Sequence, residues 1–204
     1  MKVLLLNGSP DNHGCINEGL IVMSKEFEKE NIDYEIVQIG KNPIAGCIGC
    51  ASCRKTGECF RKDIANEIVA KLKECDGFVI GSPVYYSSPN GSLLSLLDRV
   101  FYQASGLANK VGASIVSCRR GGASSTFDML NKYFLISNMP IAPSNYWNMI
   151  HGSKAEDIYK DEEGIQTLQT LARNMIFLMK SIKLGIDSGL APKLETKIKT
   201  NYIK

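Results

Sequence analysis

Charge of one sign is what this sequence has least of. Its 24 lysines and arginines face 21 aspartates and glutamates, a formal balance of +3. That is too little to point to nucleic acid or to an anionic membrane surface. Long apolar runs are missing as well, since none approaches the roughly 20 residues of a spanning helix. No low-complexity tract interrupts the chain. Lys2 leads straight into Val3-Leu4-Leu5-Leu6, too short for a signal-peptide core and without a small-residue cleavage site. A cytoplasmic location is the expectation. Two common phosphate signatures, G-x-x-x-x-G-K-[ST] and G-x-G-x-x-G, are absent too. Their absence argues against a P-loop NTPase and a standard dinucleotide fold.

Cysteine, by contrast, is plentiful. Seven occur in 204 residues, with Cys47, Cys50, Cys53 and Cys59 bunched together and Cys15, Cys75 and Cys118 scattered. In a reducing compartment a tight cluster reads as metal or redox chemistry before it reads as disulfides. The scattered three read as small packing residues. Cys15 is the exception, because the helix N-terminus predicted there lowers a thiol pKa.

The periodicities alternate between strand and helix. Apolar residues 2–6, the alternating run 34–39, the two-sided apolar run 77–81, residues 111–116 and residues 140–142 read as five strands. Helical patterns cover 16–29, 63–74, 91–102, 124–135 and 162–182. Residues 40–60 read as a long irregular segment holding the cysteine cluster. Five β-α units predict an α/β fold: a five-stranded parallel sheet with helices on both faces, joined by right-handed crossovers. Ligands then bind outside the carboxyl ends of the strands, where strand order reverses. Residues 1–183 are expected to form one domain and 184–204 a tail or an arm reaching a partner.

The first such loop, Asn7-Gly8-Ser9-Pro10 through Gly14, joins a strand to a helix. Backbone N–H groups at a helix N-terminus suit a phosphate, and the Ser9 hydroxyl can add a hydrogen bond; the plain alternative is a Gly- and Pro-rich turn. After the third strand Ser82-Pro83-Val84-Tyr85-Tyr86 offers a rigid turn with aromatic surface. After the fourth, Ser117-Cys118-Arg119-Arg120-Gly121-Gly122 offers glycines and a basic pair, which could equally be solvated surface. Tyr146-Trp147-Asn148-Met149-Ile150-His151-Gly152 holds the one tryptophan and a histidine, placed by this reading after the fifth strand as a pocket wall or a packing plug.

Together Asn7-Gly8-Ser9-Pro10, Gly81-Ser82-Pro83-Val84-Tyr85-Tyr86 and Leu97-Asp98-Arg99 resemble the NADPH-dependent FMN reductase group of the flavodoxin-like superfamily. The resemblance implies a strand order of 2-1-3-4-5. It also implies an FMN phosphate held by Ser9 and the backbone from Gly14 through Cys15 and Ile16 to Asn17. Cys15-Ile16 stands where family members often carry a threonine, so backbone donors carry more of the phosphate. The flavin ring would lie against Ser82, Pro83, Val84, Tyr85 and Tyr86, with Ser117, Arg119, Arg120 and Gly121 toward its N1 and O2. No protein acid is required for hydride transfer, which leaves His151 as a candidate proton donor only.

Cys47-x2-Cys50-x2-Cys53-x5-Cys59 is the sharpest chemical feature. Zinc normally takes two pairs on a longer arm, so this compact set fits it poorly. The spacing is similar to the cysteine runs of ferredoxins and closer to that of the iron–sulfur flavoproteins of the same superfamily. That resemblance implies a [4Fe–4S] cluster on these four residues; free or oxidisable thiols, and zinc, stand as alternatives.

The function so implied is an FMN-dependent oxidoreductase that takes hydride from NAD(P)H and passes electrons to a small-molecule or protein acceptor. A non-catalytic flavodoxin-like carrier docking to redox partners is the alternative, although such carriers tend to be strongly acidic. A non-redox module reusing the fold is the third reading. A homodimer or homotetramer is expected from the resemblance.

Overall fold

The computed structural model describes residues 1–196, 198–200 and 202. Five parallel strands form the sheet: β1 (Lys2–Asn7), β2 (Asp33–Gln38), β3 (Gly77–Tyr85), β5 (Val111–Cys118) and β6 (Met149–His151). Their spatial order is β2-β1-β3-β5-β6, and the two-residue β4 (Ser88–Pro89) folds back antiparallel onto β3. Counting parallel strands alone, this is the flavodoxin-like order 2-1-3-4-5.

Strand alternation sends successive side chains to opposite faces, and both faces are apolar. Leu4, Leu6, Phe78, Ile80 and Val116 meet α3 (Ile64–Glu74), α4 (Gly91–Gln103) and α5 (Ala123–Ile136). Val3, Leu5, Val79, Ala113 and Ile115 meet α1 (Cys15–Lys29) and α6 (Glu162–Asp187). Burial on both sides explains why β1, β3 and β5 read as unbroken apolar runs. A buried carboxylate ties α1 to α6: Glu26, 5% exposed, accepts from Arg173 Nε at 2.9 Å and Lys29 Nζ at 2.6 Å.

The fifth strand differs from expectation. Residues 140–142 make only an isolated bridge, Gly112 to Ile141, and the strand is Met149–His151, in register with Val116–Cys118. Pro140 has no N–H to give a ladder, whereas Met149-Ile150-His151 can pair at every residue. Tyr146 and Trp147 therefore precede the last strand rather than follow it. The last helix also runs on to Asp187, past the expected boundary at 183. Among the described residues no helix is long and apolar enough to cross a membrane.

Candidate functional site

The carboxyl ends of β1 and β3 lie side by side, since Asn7 pairs with Gly81. From there the first loop is shaped by its own side chains. Asn7 Oδ1 accepts the Ser9 N–H at 3.0 Å, Ser9 Oγ accepts the Asp11 N–H at 3.1 Å, and Asp11 Oδ1 accepts the His13 N–H at 2.9 Å. Gln38, at the end of β2, donates to the Ser9 carbonyl at 2.7 Å. Ser9 is thereby buried, with its hydroxyl hydrogen free of any partner in the loop.

Gly14 then opens α1 with no side-chain cap, as Ala51 opens α2 and Gly122 opens α5, whereas Asp63, Asn90 and Asp161 cap α3, α4 and α6. The first-turn N–H groups of an uncapped helix need an acceptor, and an anion supplies one. Of Gly14, Cys15, Ile16 and Asn17, two have side chains engaged elsewhere: the Ile16 side chain is buried in the core and the Cys15 thiol turns away to the Lys154 carbonyl, 3.2 Å. Cys15 is not the activated thiol that its place predicts. Burial pushes it up, and Asp157, Asp11 and Glu156 push the same way, against a backbone hydrogen bond that lowers it.

The second and third predicted loops come together. Ser82 is buried, its Oγ donating to the Pro83 carbonyl at 2.9 Å and accepting the Asn90 N–H at 3.0 Å. Beyond half-buried Pro83 and Val84 the chain reverses at Tyr86 and Ser87, with φ of 53° and 58°. Two successive left-handed residues make the tight hairpin turn that usually calls for Asn-Gly. Ser87 rests against Gly122, where a Cβ would lie 2.8 Å from Ser87 Cα and φ is +89°. Ser125 Oγ donates to the Ser87 carbonyl at 2.7 Å. The close approach predicted for the Arg-Arg-Gly-Gly segment thus falls on Gly122, while a Cβ on Gly121 would meet open space. Ser117 is buried; Tyr85, Tyr86, Arg119 and Arg120 are exposed.

Arg119 and His151 line one open cleft of about 750 Å³, with Gly152, Ser153, Asp157, Lys160 and Asp161. His151 Nδ1 lies 3.1 Å from Asp161 Oδ2, which also accepts the His151 backbone N–H at 2.7 Å. Burial pushes the Asp161 carboxyl up, but the N–H groups of Gly164 and His151 and the His151 ring hold it below the usual range. Tyr146 and Trp147 stand edge-on, ring centroids 4.9 Å apart, and line other pockets at the edge of the sheet.

The cysteine segment includes a five-residue helix, α2 (Ser52–Thr56), and returns to α3 through Cys59. All four clustered cysteines line one pocket with about 350 Å³ of free space, solvent side included, shared with Arg61, Arg99 and Tyr102. Among the described residues no three His, Cys, Asp or Glu side chains stand close enough to hold a metal ion without moving. Cys47 and Cys50 are exposed, and Cys53 and Cys59 are partly buried. Cys59 is the anchored member: its N–H is shared between Asn66 Oδ1 at 3.0 Å and Gln103 Oε1 at 2.6 Å. Ligand closure coupled to binding is ordinary for metal sites, and the exposed pair would be the part that moves.

The pocket also suits an anionic sulfur centre. Arg99 Nη2 lies 3.4 Å from Cys59 Sγ, and the buried Nε atoms of Arg99 and Arg61 have no hydrogen-bond partner. Four thiols lining one pocket with two arginines, one of them within reach of Cys59, is a donor set that fits an iron–sulfur cluster. Sequence reasoning missed Arg61, Asp63, Asn66, Arg99, Gln103 and Ser87 as site members. One signal was available for Arg99: its place, with Leu93, Leu96, Leu97 and Val100, on the buried face of α4.

Comparison with known proteins shows the family. Residues 1–154 match the family described as NADPH-dependent FMN reductase. An iron–sulfur flavoprotein from Methanocaldococcus jannaschii is 32% identical over 197 residues, covering 90% of this chain and 100% of the relative. One from Archaeoglobus fulgidus is 30% identical over 198 residues, covering 90% and 98%. Among solved structures, RosB with bound 8-demethyl-8-formylriboflavin-5'-phosphate aligns with a TM-score of 0.74 at 16% identity, covering 100% of this chain and 92% of that one. A flavodoxin from the domain Archaea aligns with a TM-score of 0.56 at 14% identity, covering 90% and 99%. The two structures speak to the fold alone. The matched span takes in the phosphate loop, both turns and the cysteine segment, and the chain belongs to the NADPH-dependent FMN reductase family, flavoprotein oxidoreductases of flavodoxin-like fold.

Proposed function

We propose that this chain binds FMN across the ends of β1 and β3, accepts hydride from NADPH or NADH, and delivers electrons to a small-molecule or protein acceptor by way of a [4Fe–4S] cluster on Cys47, Cys50, Cys53 and Cys59. The observation that carries the FMN reading is the uncapped N-terminus of α1 beside a buried Ser9 hydroxyl with its hydrogen unspent. Bound FMN supplies two-electron acceptance from a nicotinamide and electron release onward.

The chain's own part is holding and shielding. Ser9 and the N–H groups of Gly14 to Asn17 would neutralise the phosphate. Ser82 to Tyr86, braced on Gly122 through Ser87, would form the ring platform. Arg119 or Arg120 would balance negative charge on the reduced ring. His151 is tethered to Asp161 and is cast as a cleft residue rather than an acid, because the hydride step asks for none. The four-cysteine pocket sits beside α4, the helix that follows the β3 turn, so one helix supports both sites.

The test is anaerobic purification followed by assay of FMN, iron and acid-labile sulfide on one sample, then rapid mixing with NADPH and NADH. About four irons and four sulfides per flavin, as a [4Fe–4S] cluster requires, together with direct reduction by a nicotinamide, meet the proposal. A clean flavin spectrum without iron removes the cluster from it. Reduction only through a partner reductase would make the chain a carrier. Light scattering tests the expected homodimer or homotetramer, for which exposed Phe177, Leu184, Leu190 and Leu194 supply apolar surface.

A further inference from the structure

Arg99 occupies a place that ordinary packing would give to leucine. On α4 its neighbours Leu93, Leu96, Leu97 and Val100 are fully buried, and its own side chain is 1% exposed. Burying a guanidinium costs free energy unless each donor finds an acceptor. Asp63 meets much of that need, its two oxygens accepting from Nη1 at 2.6 Å and Nη2 at 2.7 Å. Nη1 also donates to the Ala45 carbonyl and Nη2 to the Arg61 carbonyl, each at 3.3 Å. Arg99 therefore staples both ends of the cysteine segment, before Cys47 and after Cys59, to α4.

A purely structural staple would be complete at that point. Instead Nη2, already given to Asp63 and the Arg61 carbonyl, is also shared with Cys59 Sγ at 3.4 Å, and Nε stays buried without a partner on a side chain that lines the four-cysteine pocket. Arg61, which lines the same pocket, likewise leaves its buried Nε unspent. The sulfur contact is the one that a staple between backbone segments does not require.

We infer that Arg99, oriented by Asp63, is a positioning residue for the cysteine centre: it fixes Cys59 as the first ligand and gives N–H···S hydrogen bonds that raise the centre's reduction potential. The inference rests on the cluster reading above. Its direction follows from charge: reduction adds an electron to an already anionic thiolate-bound centre, so a nearby cation and N–H donors stabilise the reduced form more. Arg61, a second cation lining the same pocket, acts in the same direction.

The experiment uses full-length wild type, Arg99→Lys and Asp63→Glu, each reconstituted anaerobically with ferrous iron and sulfide. Iron and sulfide per chain, a potentiometric titration followed by electron paramagnetic resonance, and the melting temperature are read on each. Arg99→Lys keeps the charge but loses the fork and Nε. Its one-electron equilibrium should shift about tenfold toward the oxidised form, a fall of about 59 mV. Asp63→Glu keeps both charges but displaces the fork that orients Arg99, and should shift the same way by less. Full iron with wild-type potentials in both variants overturns the role of Arg99 while leaving the cluster reading intact. Wild type that takes up no iron overturns both. Should Arg99→Lys unfold, a wild-type potential in Asp63→Glu overturns the proposal, and a lowered one upholds it.

Discussion

Gly8 and Gly81 face each other at the ends of β1 and β3, the Gly8 amide donating to the Gly81 carbonyl at 2.8 Å. This bond joins the proposed phosphate loop to the strand that carries the proposed ring platform. A Cβ on Gly8 would lie 2.5 Å from that carbonyl oxygen and 2.4 Å from Leu93 Cδ2. Leu93 can shift, but the backbone oxygen cannot. Gly8→Ala should cost about 1–3 kcal/mol, the usual price of overpacking, and weaken FMN binding by a larger factor than any single lost hydrogen bond. Thermal melts with and without FMN would separate the two effects.

Ser9 and Asp11 should act in opposite directions on the phosphate. Ser9→Ala removes the acceptor that shapes the Asp11 turn and the hydroxyl offered to the ligand. A loss of about tenfold in FMN affinity is expected, from about 1.4 kcal/mol. Asp11 places a carboxylate oxygen 3.3 Å from where a Gly14 Cβ would sit, at the mouth of α1. Asp11→Asn keeps the turn and removes a like charge, so FMN should bind several-fold tighter at low salt, the gain fading as salt screens it. Fluorescence quenching titrations at two ionic strengths check both.

Tyr86 has no packing reason for its strained backbone, since its side chain is fully exposed at φ 53°. A non-glycine residue held left-handed costs about 1 kcal/mol or more. Tyr86→Asn should therefore raise the melting temperature by about 2–4 °C and slow nicotinamide turnover, because the ring stands at the proposed flavin platform. Unchanged turnover would reassign Tyr86 to the bare surface.

Glu26 makes stability depend on pH at the acid end. Burial pushes its carboxyl up, but the bonds from Arg173 and Lys29 win and hold it below the usual range. A carboxyl lowered on folding stabilises the fold above its unfolded value, near 4.3, and that stability is lost as pH falls through the folded value. Glu26→Gln should melt lower than wild type at pH 7, by about 1–2 kcal/mol given the exposed Arg173 partner. The gap should close below about pH 4. Parallel melts between pH 3 and 7 test the sign.

The tail offers a last prediction. Leu190, Leu194 and Ile198 are exposed beyond α6, where they bury nothing in their own subunit. A chain ending at Gly189 should keep the wild-type melting temperature at low protein concentration and lose mass in light scattering. An unchanged mass would remove the tail from the assembly.

Local pattern was enough for much of this. The two-sided apolar runs of β1, β3 and β5, the helical periods between them and the glycine loop after β1 are properties of neighbouring residues, so they were legible in order. So was the strand order, once the paired turns suggested the family. The fifth strand was not: Pro140-Ile141-Ala142 and Met149-Ile150-His151 are both short and apolar, and only the partner edge of β5 chooses between them.

The chemistry of single side chains was less legible still. Position alone predicts an activated Cys15 at a helix N-terminus, yet burial, with Asp157 and Glu156 from a distant segment and Asp11 from the same loop, reverses the sign. Arg99 lies far along the chain from Cys59 and Asp63, and no periodicity links them. The sequence by itself determined the fold class, the glycine loop that joins β1 to α1 and the grouping of four sulfurs. Which glycine bears the close contact, which cysteine is anchored and which guanidinium reaches a sulfur were decided only in three dimensions, because hydrogen bonding and desolvation depend on which distant segments meet.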